Sequence, residues 1–131
     1  MTQLAISLGA FGVATLINLW LAIRCGKARL EAKAMHGDGG HPLLLKRMRA
    51  QANFVEYTPF ALLLVLGLEL TGHAGWLLAL TAAVFLIGRV SHALGMDADI
   101  AGPLRKAGMA MTLLPLLGLA ITALLAAFGL I

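Results

Sequence analysis

The chain has 131 residues, of which 60% are hydrophobic and 12% charged, with a formal net charge of +4 at pH 7 and a mean hydropathy of +0.91. That balance lies outside the composition of soluble domains and predicts a single all-α membrane domain over residues 1–131. The basic excess follows the connections between apolar runs, so it is read as a topology signal and nucleic acid is not an expected partner.

Four apolar runs predict four membrane spans, at about 4–23, 52–70, 74–95 and 105–130. A helix of about 20 residues rises about 30 Å, enough to cross the hydrocarbon core. The first run follows Met1-Thr2-Gln3, which carries no basic side chain, and is long enough to span; it is therefore read as a mature helix and not as a cleaved signal peptide. Its small residues Gly9, Ala10, Gly12 and Ala14 allow close helix approach. Asn18 is expected to hydrogen-bond a neighbouring helix or to meet a ligand. Arg24, at the end of the run, is either a snorkelling anchor or an anion contact. The one cysteine, Cys25, excludes an intramolecular disulfide and a multi-cysteine metal site within one chain. It reads as an incidental thiol, with acylation or reactivity as the alternative.

Residues 34–41, Ala-Met-His-Gly-Asp-Gly-Gly-His, form the most turn-rich stretch and read as a reversal between helices. No Gly-Lys-Ser/Thr follows, so a phosphate-binding loop is excluded. His36 and His41 lack the further ligands a metal needs and are expected to be solvated, and no metal is expected elsewhere. From Leu43 the apolar and basic residues are helically spaced, which places the helix start ahead of the membrane and its entry near Asn53. Pro59 falls inside this helix and frees a carbonyl one turn earlier. Glu69 near its far end is expected to be an interfacial carboxylate. The third span ends in Gly88-Arg89-Val90-Ser91-His92-Ala93-Leu94-Gly95-Met96, where Arg89, His92 and Met96 share a face. In the connection that follows, Asp97 and Asp99 are expected to cap the next helix or to pair with basic neighbours, a bound cation being the alternative. Arg105 and Lys106 open the fourth span, where the helix dipole disfavours cations, and their placement there suggests an anion to be met. Pro115 can kink this last span.

All ten Lys and Arg residues lie in the first and third connections or beside them; the termini and the second connection, Thr71-Gly72-His73, have none. In a four-span chain those two connections share a side, which the positive-inside rule assigns to the cytoplasm. Both termini are then expected to face away from the cytoplasm.

The stretch Arg49-Ala50-Gln51-Ala52-Asn53-Phe54-Val55-Glu56-Tyr57-Thr58-Pro59 is the densest in chemistry. On a helix Arg49, Asn53 and Glu56 stand at i, i+4 and i+7 and share a face. Ionisable groups at membrane depth are costly and mark functional sites by default. Arg24, Arg49, Arg89 and Arg105 can all reach one membrane edge, with Asn53, Glu56, Tyr57 and His92 beside them. One carboxylate among guanidinium groups suits a zwitterionic, peptide-like ligand: Glu56 takes an ammonium and the arginines take carboxylates. A thiol held there would shift toward its thiolate, while the bilayer delivers a lipophilic second substrate. A structural polar knot with snorkelling arginines is the alternative reading of the same residues.

Residues Arg49 to Tyr57, with Pro59 following, resemble the second-helix signature of the MAPEG family, the membrane-associated proteins of eicosanoid and glutathione metabolism. Gly37-Asp38-Gly39-Gly40 and the segment Gly88-Arg89 to His92-Ala93 resemble its bacterial branch. The resemblance implies a four-transmembrane-helix bundle assembled as a homotrimer in the bacterial inner membrane, with glutathione as cosubstrate bound between subunits near the cytoplasmic face. It implies that Arg49, Asn53, Glu56 and Tyr57 hold the tripeptide, with Gln51 a lesser contact and Arg24, Arg89 and His92 nearby. By the same resemblance, Arg105 would take the place of the arginine that stabilises the thiolate. Tyr57 is the one tyrosine of the chain, and His92 and Met96 stand where eicosanoid-forming members carry third-helix tyrosines. The expected activity is therefore a detoxifying glutathione transferase or peroxidase acting on lipophilic electrophiles, and not leukotriene or prostaglandin synthesis. The competing expectations are a small four-helix multidrug transporter and a catalytically silent glutathione-binding scaffold.

Overall fold

A computed structural model describes residues 3–131. Four helices account for most of the chain: α1 (Ala5–Ala32), α2 (Pro42–Leu70), α3 (Trp76–Gly95) and α4 (Pro103–Ala127). Each is long and apolar enough to cross a membrane, and together they form an all-α membrane bundle. α3 is close to the span read from hydropathy, whereas α1 and α2 extend well beyond theirs at the basic end. Residues 24–32 and 42–51 remain helical after the apolar run stops because Ala, Leu, Lys, Arg and Glu all favour helix.

The turn between these extensions is built from local chemistry. Lys33 takes a left-handed conformation (φ 51°) and closes α1. Gly37, Gly39 and Gly40 all have positive φ, and Asp38 Oδ1 accepts from Gly40 N at 3.0 Å. Arg29 reaches over the turn and donates to the carbonyls of Ala34 (3.2 Å) and Gly37 (2.8 Å). His41 is not simply solvated as expected: its Nδ1 accepts from Leu44 N at 3.4 Å, so it caps α2 ahead of Pro42.

At the opposite end Glu69 corrects a second expectation. It is not an interfacial carboxylate, being only 7% exposed. Its Oε1 accepts from Ile6 N at 2.9 Å, and its Oε2 from Ser7 N at 2.7 Å and Ser7 Oγ at 2.5 Å. The first turn of any helix leaves N–H groups without intrahelical partners and favours negative charge. α1 has no acidic residue in its own first turn and no side-chain cap. A carboxylate from α2 supplies both.

The closest helix approach also falls elsewhere than expected. A Cβ added at Gly9 or Gly12 would meet nothing within 4 Å, while Ala10 and Ala14 face the core. The tight seam lies between α3 and α4, where a Cβ at Gly88 would come 2.6 Å from Met111 Cβ, and Cβ atoms at Gly95 and Gly108 would run into the backbones of Arg105 and His92. Asn18 makes no interhelical hydrogen bond through Oδ1, which is buried without a partner among the described residues; no donor from another helix reaches it. Leu21, Phe54, Val65, Phe85 and Leu119 fill the bundle centre. The outward side chains, among them Leu16, Leu63, Ile87 and Leu114, are apolar and exposed, as suits helices solvated by lipid.

Candidate functional site

α2 turns its chemistry outward. Ala50, Phe54, Thr58, Ala61 and Val65 are its buried side, so the rotation of the helix leaves Arg49 and Glu56 exposed and Gln51, Asn53 and Tyr57 half-buried. Neither Arg49 nor Glu56 has an ion-pair partner among the described residues. The face drawn from spacing alone is thus a real face, pointing away from the chain's own core.

The floor of that face comes from α3. Arg89 is 2% exposed; its Nη1 donates to Asn53 Oδ1 at 2.7 Å and to Asn53 O at 3.4 Å. Its guanidinium carbon lies 5.7 Å from the centroid of the Tyr57 ring, within cation–π range. Its Nε and Nη2 are buried without a hydrogen-bond partner among the described residues. His92, one turn further along α3, is also buried, at 4% exposure. Its backbone lies against Gly108, as that of Arg105 lies against Gly95. The glycine seam therefore fixes the level of Arg105, half-buried in the first turn of α4, relative to Arg89 and His92. Ser91 Oγ donates to Leu104 O at 2.8 Å and ties the same two helices together. Met96, at the C-cap of α3, is half-buried against the apolar core.

Arg24 is placed differently from the other three arginines. It pairs with Asp97, donates to Ala93 O at 3.3 Å and lies 4.9 Å from the centroid of the Trp20 ring. Arg47 reaches the same carboxylate at 3.7 Å and donates to Arg24 O at 3.1 Å. Lys46 donates to Asp97 O at 3.2 Å and to Asp99 Oδ1 at 2.5 Å. The hydrogen bond and charge of Lys46 hold the Asp99 carboxyl below its ordinary range. The two aspartates thus pair with basic neighbours, one of the two roles read from sequence, while the cap position of α4 is Gly102 with no side-chain cap. This brace joins α1 and α2 to the α3–α4 connection.

Sequence reasoning missed the supports of the site. Lys46, Arg47, Gly95 and Gly108 were given no role in the site and Gly88 no packing role, although Gly88 and Gly95 stand seven apart and so share a helix face. Two apolar clefts also open on the bundle, about 530 Å³ between α3 and α4 and about 560 Å³ between α1 and α3. Neither is lined by Arg49, Asn53, Glu56 or Tyr57. The polar face of α2 and the clefts are separate features.

Comparison with known proteins matches this architecture. Residues 7–125 fit the profile of the MAPEG family. The inner membrane protein YecN of Escherichia coli K12 is 33% identical over 86 residues, which cover 66% of this chain and 65% of that protein. YecN of E. coli O6:H1 (strain CFT073) matches to the same extent. The matched segment thus spans just under two thirds of these relatives. With four membrane-crossing helices in place and the profile covering nearly all of them, the chain belongs to the MAPEG family.

Proposed function

We propose that this chain is a glutathione transferase or peroxidase of the bacterial inner membrane, which binds glutathione on the outer face of α2 and activates its thiol toward lipophilic electrophiles. The observation that carries the reading is the exposure of Arg49 and Glu56, opposite charges without ion-pair partners among the described residues, on a helix that enters a bilayer. A carboxylate at membrane depth, as Glu56 is beyond the entry near Asn53, costs several kcal/mol when it faces hydrocarbon, so this face needs a cover. A second copy of the chain supplies it, and in a homotrimer the ligand lies between neighbouring subunits.

Within that site Glu56 takes the ligand ammonium, and Arg49 and Asn53 take a carboxylate. Tyr57 and Gln51 complete the wall, with His92 and the arginines at positions 24 and 89 adding polar and positive surroundings. Arg105 stabilises the thiolate: a cation beside a thiol of ordinary pKa about 8.5 raises the anionic fraction at neutral pH. The thiolate sulfur then forms a bond to the electrophilic carbon and the leaving group departs with the bond electrons. With a hydroperoxide, the thiolate sulfur bonds to the terminal peroxide oxygen, the O–O bond breaks and the alkoxide leaves to take up a proton as the alcohol; the sulfenic acid then condenses with a second glutathione thiol to give glutathione disulfide and water. Membership of the MAPEG family and likeness to an inner membrane protein support this assignment.

The test is ultraviolet difference absorbance in the thiolate band, with purified detergent-solubilised protein titrated with glutathione at neutral pH. A saturable signal is expected, lost in Arg105→Ala while calorimetric binding persists. Glu56→Gln is expected to weaken binding itself. Absence of both signal and binding refutes the proposal, and binding without thiolate reduces the protein to a silent scaffold.

A further inference from the structure

An arginine carries five N–H donors and no acceptor. The amide atom of Asn53 that meets Arg89 therefore has to be the oxygen, and the 2.7 Å contact runs from Nη1 to Oδ1. Flipping the amide would set its N–H groups against the guanidinium. The arrangement is held firmly, because Arg89 is 2% exposed and follows Gly88, which lies against Met111 of α4. Among the described residues no carboxylate pairs with Arg89, and two of its nitrogens lack hydrogen-bond partners. A buried cation in that position holds the acceptor it has, since a charged group left unpaired costs more than a neutral one.

We infer that Arg89 is a positioning residue that fixes the polarity of Asn53: the amide oxygen is turned to Arg89, and the N–H groups are left for the outer face of α2. The inference rests on the glutathione reading and adds to it the kind of group each position accepts. Arg49 and Asn53 are then both donors, and Glu56 is the one anion of the face. From Asn53 to Glu56 the helix rises about 4.5 Å, and from Arg49 to Asn53 about 6 Å. A carboxylate and an ammonium on the same carbon fit the shorter step, with Arg49 on the carboxylate from the other side. The ligand is recognised by an unblocked α-amino-acid head, as at the γ-glutamyl end of glutathione; a blocked carboxylate loses the match at Asn53.

The test compares calorimetric affinities for glutathione and for the analogue whose γ-glutamyl α-carboxylate is a carboxamide. Wild-type protein is expected to prefer glutathione by about 10-fold or more, the worth of a charge-assisted hydrogen bond. Asn53→Asp presents an acceptor that opposes the ligand carboxylate and suits the carboxamide N–H, and is expected to abolish the preference or reverse it against the pull of Arg49. Arg89→Gln, which can donate or accept, is expected to shrink the preference toward the share that Arg49 alone supplies, while Arg89→Lys, still donor-only, retains it. Purely structural damage would weaken both ligands by the same factor. Equal weakening in Asn53→Asp, an intact preference in Arg89→Gln, or no preference in wild type each overturns the inference. If wild type binds neither ligand, the glutathione reading fails, and the pair is judged in the ligand-free protein. There Asn53→Asp should raise the unfolding temperature by placing a carboxylate on the buried guanidinium, and a lowered temperature overturns the assignment.

Discussion

Gly108→Ala tests the seam that sets the site's level. The added Cβ would lie 2.6 Å from His92 Cα and 2.7 Å from His92 Cβ, where ordinary contact begins at 3.4 Å. His92 N would be closer still, so the helices must part by at least about 0.8 Å, against atoms that are mostly backbone and have no rotamer to change. Relief by tilting is blocked by the neighbouring contacts on the same seam, Gly95 with Arg105 and Gly88 with Met111. Overpacking of this kind costs about 1–3 kcal/mol, whereas exchanging Gly for Ala in a helix returns up to about 1 kcal/mol through propensity. Gly12→Ala carries the same propensity gain with nothing within 4 Å of the new Cβ, so the difference between the two variants isolates the packing cost. In denaturing-detergent titrations followed by far-ultraviolet circular dichroism, Gly108→Ala is expected to be less stable than Gly12→Ala by about 1–3 kcal/mol. Equal stability of the two would refute the close α3–α4 approach.

Three further outcomes follow from the braces. Glu69→Gln removes the charge that caps α1, so hydrogen exchange at the Ile6 and Ser7 amides should accelerate while amides in the middle of α3 stay protected; unchanged exchange would mean the cap is not formed. Asp97→Asn leaves Arg24, whose side chain is 11% exposed, without its anion, and should destabilise the protein by about 1–3 kcal/mol, a buried-pair loss reduced because the aspartate is partly exposed. Melting at low and high salt checks this, since the variant should lose part of the salt dependence of wild type. For Asp99 the folded carboxyl titrates below its ordinary value of 3.8. Its stabilising contribution is therefore present above that pH and disappears as pH falls through the folded value. Lys46→Met should flatten this limb of the acid unfolding curve, and an unaltered limb would show that the pair contributes nothing.

The candidate site was legible to the extent that one helix wrote it. Arg49, Asn53 and Glu56 share a face because of the 3.6-residue period, and the exposure of Arg49 and Glu56, with Asn53 half-buried between them, agrees with that spacing. The pairing of Asp97 and Asp99 with basic neighbours was also foreseeable, as the two carboxylates sit among Arg24, Lys46 and Arg47 at the charged end of the bundle. The support of Asn53 by Arg89 was not, because the two are 36 residues apart and meet only when α2 and α3 have taken their rotations. Nor did the sequence separate the arginines by role: Arg24 is neutralised by a residue 73 positions away, while Arg49 stands on the outer face with no ion-pair partner among the described residues.

Composition and apolar run length by themselves determined a membrane bundle of four helices, because crossing the bilayer demands about 20 apolar residues whose backbone bonds are satisfied within the segment. Helical period determined which residues of α2 stand together. Tertiary structure alone decided which side of each helix faces the bundle, and so placed Glu69 on the first turn of α1 and the close approach at Gly88, Gly95 and Gly108 instead of at Gly9 and Gly12. The reason is physical: in helices apolar around most of their circumference, hydropathy carries no rotational information, and the rotation is set by which small residues let backbones meet and which buried polar groups find partners.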